Sequence, residues 1–412
     1  MHIAALFFLI LLAATAPAEE WPAWRGPRGD GTSTETGVPL RWSTTENVAW
    51  KTPIPGIGHS SPIVVGDRVF LGSYVEDGGK RSLFCIDRQT GKIAWERVVL
   101  TAPPERKHKW NSHASSTPAT DGRHVWIPFL KAPDIWLVCY DMDGKEVWRS
   151  SPGTFKSVHG FCSSPILHND LVILNCDQDD VAFIVAYDKA TGKERWRSDR
   201  PNRTRSYCAP LIVQAAGKTQ MVLTGSLCVA SYDPSTGKQH WIIDGPTEQF
   251  VASPVFAEGL FFITGGYPQH HFMGIRPDGT GNVTQTHVAW HDKGDAKTVS
   301  YVPSPIAHGR HFFVVSDVGV ASCLDAKTGN CIWREPLGRH HWPSPVSAEN
   351  RLYFLDDDGN TFVLQAGPEF RLLEKNPLGE ECYASPAISG GRIFIRTMSH
   401  LWCVGPAARP PR

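Results

Sequence analysis

Residues 87–95 read Asp87-Arg88-Gln89-Thr90-Gly91-Lys92-Ile93-Ala94-Trp95. The same frame, D-x-x-T-G-x-x-x-W, returns with unchanged spacing at Asp188 to Trp196, Asp233 to Trp241 and Asp325 to Trp333. Asp141 to Trp148 is a version one residue shorter, and Arg276 to Trp290 carries an insertion. A second marker, a small residue followed by proline, recurs at Pro62, Pro118, Pro165, Pro210, Pro254, Pro305, Pro345 and Pro386. It counts eight repeats about 46 residues apart, and a fixed period of that size is the signature of a repeat architecture.

Each repeat parses into four short runs of β-branched and aromatic residues. In the first these are SSPIVVG, RVFLGS, RSLFCID and KIAWERVV, a four-stranded meander. The Thr-Gly step suits a tight hairpin that the aspartate pins by accepting turn amides. The tryptophan is large enough to wedge against the next sheet, and its one N–H suits a neighbouring carbonyl. A lone four-stranded sheet cannot bury both faces, so the units pack face to face and close radially. The last repeat supplies only YASPAIS, RIFIRTM and HLWCVG, while Asn47-Val48-Ala49-Trp50-Lys51-Thr52 matches Lys92-Ile93-Ala94-Trp95-Glu96-Arg97 with tryptophan in register. The expected fold is therefore all-β, an eight-bladed β-propeller with tryptophan-docking repeats, closed by the N-terminal strand.

Residues 1–18 read as a secretory signal, an apolar run ending in Ala16-Pro17-Ala18, too short to span a bilayer comfortably. A strap over 19–46, a propeller over 47–406 and a tail over 407–412 complete the expected organisation, giving an exported, soluble monomer in the periplasm or outside the cell. The 41 Lys and Arg balance 41 Asp and Glu, so no net positive field favours nucleic acid. Cys85, Cys139 and Cys323 each precede the repeat aspartate by two residues, where other repeats place Ala186 or Ser231. A position shared by Cys, Ala and Ser asks for a small buried side chain. Cys162, Cys208, Cys382 and the Cys323/Cys331 pair are the candidates for disulfides.

These cassettes resemble the tryptophan-docking repeats of PQQ-like propellers, the superfamily of quinoprotein alcohol dehydrogenases and of the BamB-type assembly scaffold. The leader Trp21-Pro22-Ala23-Trp24-Arg25-Gly26-Pro27-Arg28-Gly29 also looks like one found on exported PQQ-repeat proteins. For the dehydrogenases the resemblance implies an adjacent-cysteine disulfide against the quinone and a calcium ion. This chain has no Cys-Cys dipeptide and no C-x-x-C-H haem site. It also lacks the BamB-type lipid-anchor cysteine beside the cleavage site.

The short turns VVGDR and DRQTGK fall on one face of the disc, and the irregular loops 100–111, 176–180, 267–271 and 339–342 fall on the other. Variable loops on a rigid scaffold are where binding is placed. Ahead of the small-Pro markers stand His59, His113, His159, Arg205, Gln249, Tyr301, His340, His341, Trp342, Glu381 and Tyr383, candidates for a ligand funnel on the propeller axis. No histidine spacing specifies a metal site, and Asp356-Asp357-Asp358-Gly359 reads as a hairpin tip rather than a calcium loop. The expected function is a binding or assembly scaffold for an envelope protein or small ligand, with no cofactor. The alternative is a quinoprotein oxidoreductase on alcohols or sugars, in which PQQ with calcium would use Arg205 for its carboxylates and Glu381 for the ion.

Overall fold

The structure, a computed structural model, describes residues 18–200, 205–225 and 227–406. The signal sequence before Ala18, residues 201–204 and 226, and the tail at 407–412 lie outside the described residues. Eight antiparallel sheets follow one another as blades. Blade 1 consists of Ile63–Val65, Arg68–Val75, Lys80–Asp87 and Ile93–Thr101. Blades 2–7 fall at 119–154, 166–200, 211–244, 255–292, 306–336 and 346–377. Blade 8 takes three strands from 387–404 and its outer strand, Val48–Pro53, from the N-terminus, with Trp50 opposite Cys403. Closure thus occurs where the truncated last repeat places it.

The repeat tryptophans dock as their chemistry requires. The indole N–H of Trp50, Trp95, Trp148, Trp196, Trp290 and Trp333 donates to the carbonyl of Arg88, Met142, Lys189, Pro234, Ala326 and Gly367, at 2.8–3.1 Å. Each acceptor belongs to the next blade's turn. The turn glycine serves two needs at once. Gly192 has φ +67°, and a Cβ there would lie 2.5 Å from the Trp148 ring, so only glycine gives the positive φ and the floor for the indole. Across the sheet, Cys85, Cys139, Ala186, Ser231, Gly274, Cys323 and Cys403 sit in register with the tryptophan of their own blade. That explains the demand for a small residue. All ten cysteines are free, so the disulfides expected at Cys162, Cys208, Cys382 and Cys323/Cys331 do not form. Cys331 pairs in register with Leu324 instead of Cys323.

Two blade junctions depart from the rule. In blade 7 the tryptophan position is Glu374, opposite Val363 and Tyr353. Here the strap supplies the ring: Trp42 stacks on Tyr353 at 6.4 Å, held by its amide on Asn376 and by Arg41 on Glu374. At blade 4 the insertion in the following cassette lays Gly281–Asn282 parallel to Gln239–Asp244 as a fifth strand. Trp241 then reaches the next blade through a relay, donating to Gln220 Oε1, while Gln220 Nε2 donates to the Pro277 carbonyl.

The small-Pro marker has its own role at the axis. Ser61 N–H donates to Thr117, Thr117 to Ser164, Ser253 to Ser304, Ser304 to Ser344, Ser344 to Ser385 and Ser385 to Ser61, each amide to the next blade's hydroxyl at 2.9–3.0 Å. The break falls at Ala209, which has no hydroxyl. Ser385→Ala should leave the buried Ser344 amide unpaired at a cost of about 1–3 kcal/mol, read as a lower urea midpoint. An unchanged midpoint would show that these hydroxyls do not hold the ring together.

The strap crosses the face that carries the short turns. Trp21 bridges to Val64 of blade 1, Pro22 accepts from Thr120 of blade 2, Arg25 reaches the carbonyls of Ser304 and Pro305 on blade 6, and Thr32 bridges to Ser347 of blade 7. Residues 21–32 therefore lie under the central channel.

Candidate functional site

The channel opens toward the loop face as a cavity of about 120 Å³. Its wall has two tiers. The upper consists of His59, Ser115, Cys162, Tyr207, Val251, Val302, Trp342 and Tyr383, each two residues before the small residue of its marker. The lower holds Ser61, Thr117, Ser164, Ala209, Ser344 and Ser385 of the hydroxyl ring, and Trp24 of the strap lines the cavity with them. No lysine, arginine, aspartate or glutamate is among these lining residues.

Three of the expected site residues line this cavity. His59 rests its ring on Tyr383 at 4.8 Å, and burial, with Lys107 and Arg396 adding to it, pushes its pKa down to about 4. Trp342 meets Trp110 at 5.0 Å, so the loop between blades 1 and 2 touches the loop between blades 6 and 7 over the mouth. Burial raises the Tyr383 phenol, whose hydroxyl faces Glu381 at 3.4 Å.

Five others stand beside the mouth. Arg205 pairs with Asp179 at 2.6 Å and donates to His159 Nδ1 at 3.1 Å, and His159 also meets the Tyr207 hydroxyl. Burial, then Arg205, lowers the His159 pKa. Tyr301 donates to Gln249 at 3.3 Å, with burial raising its phenol to about 12. Glu381 is exposed. His340 is exposed, its Nδ1 3.4 Å from the Asp317 carbonyl, and the remaining two turn away from the axis. His113 sits 3.1 Å from Glu105, which also pairs with Arg81, and packs at a tilt against the Tyr74 ring. His341 is fully buried, with the Leu337 and Leu355 carbonyls at its two ring nitrogens.

Residues that a sequence reading passed over include Tyr207, Cys162 and Trp24. Burial pushes the Cys162 thiol up to about 12, which keeps it protonated and poorly nucleophilic. Among the described residues no group of three or more His, Cys, Asp or Glu is placed to hold a metal ion. Asp356 accepts from the Asn360 amide across its hairpin tip, a structural use of that acidic run.

The loop face around the mouth exposes large apolar side chains on several loops, beside charged ones such as Arg106, Lys109, Asp180 and Glu248. Ile57, Trp110, Val158, Val181, Leu227, Tyr267 and Val318 are all exposed, Val181 by 59% and Tyr267 by 55%. All lie between blades or between second and third strands, on the face opposite the short turns.

Blade count, docking tryptophans and ring closure together define a PQQ-like β-propeller. The chain belongs to the PQQ-repeat family described as "Outer membrane protein assembly factor BamB", whose model matches residues 32–129, 97–293 and 280–367. A curated relative, outer membrane protein assembly factor BamB of Burkholderia pseudomallei (strain K96243), is 31% identical over 98 residues, 24% of this chain and 25% of that protein. The match thus spans about a quarter of the relative's length. Among solved structures, BamB from Moraxella catarrhalis superposes with TM-score 0.61 at 13% identity, over 86% of this chain and 98% of that one. Quinohemoprotein alcohol dehydrogenase from Comamonas testosteroni gives TM-score 0.64 at 14% identity, over 95% and 82%. At such identities these structures share the fold, and chemistry has to be argued from the site. No helix among the described residues is long and apolar enough to cross a membrane.

Proposed function

We propose that this chain is an exported, monomeric scaffold, released from a signal peptide over residues 1–18, whose loop face docks another protein of the cell envelope. The observation that carries this reading is the set of seven exposed apolar side chains on the loops of that one face. Apolar and aromatic groups gathered on a rigid, loop-bearing surface mark protein contact. Family membership supports a partner in outer-membrane protein assembly, since that is how the relatives are described.

The quinoprotein reading fits the residues poorly. A cavity of about 120 Å³ is well below the roughly 300 Å³ at which small-ligand pockets begin. Its wall carries no cation for the quinone carboxylates, and Arg205, the candidate for that role, is already neutralised by Asp179. Among the described residues Glu381 belongs to no group of three or more His, Cys, Asp or Glu placed to hold an ion.

The test combines Val181→Asp with Tyr267→Asp, both exposed and free of packing duties. Association with the envelope partner, quantified after chemical cross-linking, should fall at least about tenfold while the melting temperature stays unchanged. Equilibrium dialysis with quinone and calcium should give no saturable binding. Undiminished association, or micromolar quinone binding abolished by Arg205→Ala, would contradict the reading.

A further inference from the structure

A cleft also opens at the junction where docking is relayed. The fifth strand, Gly281–Asn282, extends blade 4 sideways, and between it and blade 5 lies a cleft of about 740 Å³, within the roughly 300–1,000 Å³ of small-molecule sites. Ile243, Met273 and Val288 give it an apolar wall, and His270, His271, His291 and Lys293 line its polar side.

The polar side is built for a group that the protein itself does not supply. His271 is only 4% exposed, and its Nδ1 lies 2.9 Å from His291 Nε2. Its Nε2 and the Nδ1 of His270 are buried with no hydrogen-bond partner among the described residues. Burial, followed by His291, Lys293 and His270, pushes the His271 pKa down to about 4. Burial and Lys293 lower that of His291, against a small opposing effect of Asp292. The two carboxylates lining the cleft are committed elsewhere. Asp244 accepts from Asn282 Nδ2, and Asp295 accepts from the Lys297 and Thr298 amides.

We propose that this cleft binds a small amphiphilic anion, a carboxylate or phosphate on a short apolar chain. Its head group would lie among His271, His291 and Lys293 and its chain along Ile243, Met273 and Val288. Imidazole N–H and ammonium donors give charge-assisted hydrogen bonds to such a head, and the apolar wall takes the chain at the usual gain per buried methylene. The cleft shares no lining residue with the axial funnel, and although its Pro268 to His271 wall follows directly on Tyr267, its test is read with Tyr267 and Val181 intact, so its failure is distinguishable from that of the scaffold reading.

Isothermal titration of the full-length mature protein with hexyl phosphate, hexanoate and hexanol tests it. Saturable binding of an anion, with hexanol much weaker, is expected, and the tighter of the two anions identifies the head group. His271→Gln and Lys293→Ala should each weaken binding about tenfold. Lys293 is exposed, so that variant reads the head group without disturbing the fold. No saturable heat with either anion, hexanol binding as tightly, or affinities unchanged in both variants would overturn the proposal.

Discussion

Removal of residues 19–53 from the mature chain should yield a protein that no longer stays monomeric. The deletion takes away Val48–Pro53, leaving His400–Val404 as a bare sheet edge, and unprotected edges pair with other chains. It also removes Trp21, Trp42 and Trp50, all members of one buried cluster with Tyr353, Phe394 and Trp402. Truncating even one buried tryptophan costs about 3–5 kcal/mol. Losing three approaches or exceeds the 5–15 kcal/mol that ordinarily separates folded from unfolded chains. Size-exclusion chromatography with light scattering should show aggregates or no recoverable protein. A monomer melting at the full-length temperature would rule out ring closure by this strand.

Among the docking tryptophans, the largest single-residue effect should fall at Trp241. The other docking tryptophans of blades 1, 2, 3, 5 and 6 are partly exposed. Trp241, covered by the fifth strand, is fully buried. Its replacement by alanine should cost about 3–5 kcal/mol, and the loss at Trp95 or Trp333 should be smaller. Trp241→Phe separates packing from the relay, since it keeps most of the ring but leaves Gln220 without the indole donor. That variant should lose only about 1 kcal/mol. Urea midpoints order the series, and a Trp95→Ala loss equal to that of Trp241→Ala would mean that burial by the inserted strand adds nothing.

The fold was legible because its determinants are local. Aspartate, glycine and tryptophan at fixed offsets specify a turn, a floor and a dock, and each can be recognised without knowing what lies across the interface. Trp42 and Gln220 were not legible for the opposite reason: Trp42 serves blade 7 from the distant strap, and Gln220 relays a dock only because of the insertion in the next cassette, with no repeat register to mark either. The site was half legible. Strand alternation places residues two apart on the same face, so the position two before each small-Pro residue should line the axis, and in all eight repeats it does. His59, Trp342 and Tyr383 obey that rule. His113, His159, Arg205, Gln249, Tyr301, His341 and Glu381 stand three to five residues before the marker, where the chain has left the strand for the loops. Polarity alone does not mark which of these positions faces the axis. Trp24 had no sequence signal, because nothing in the leader says which opening it covers.

The docking role proposed for the loop face can be probed by site-specific photo-crosslinking in the native envelope. A photoreactive residue at Val181 or Tyr267 on that face should trap a discrete protein adduct. The same probe at Gln89 or Lys327, exposed on the short-turn face, should trap none. Adducts from Gln89 or Lys327 with none from Val181 or Tyr267 would contradict the account.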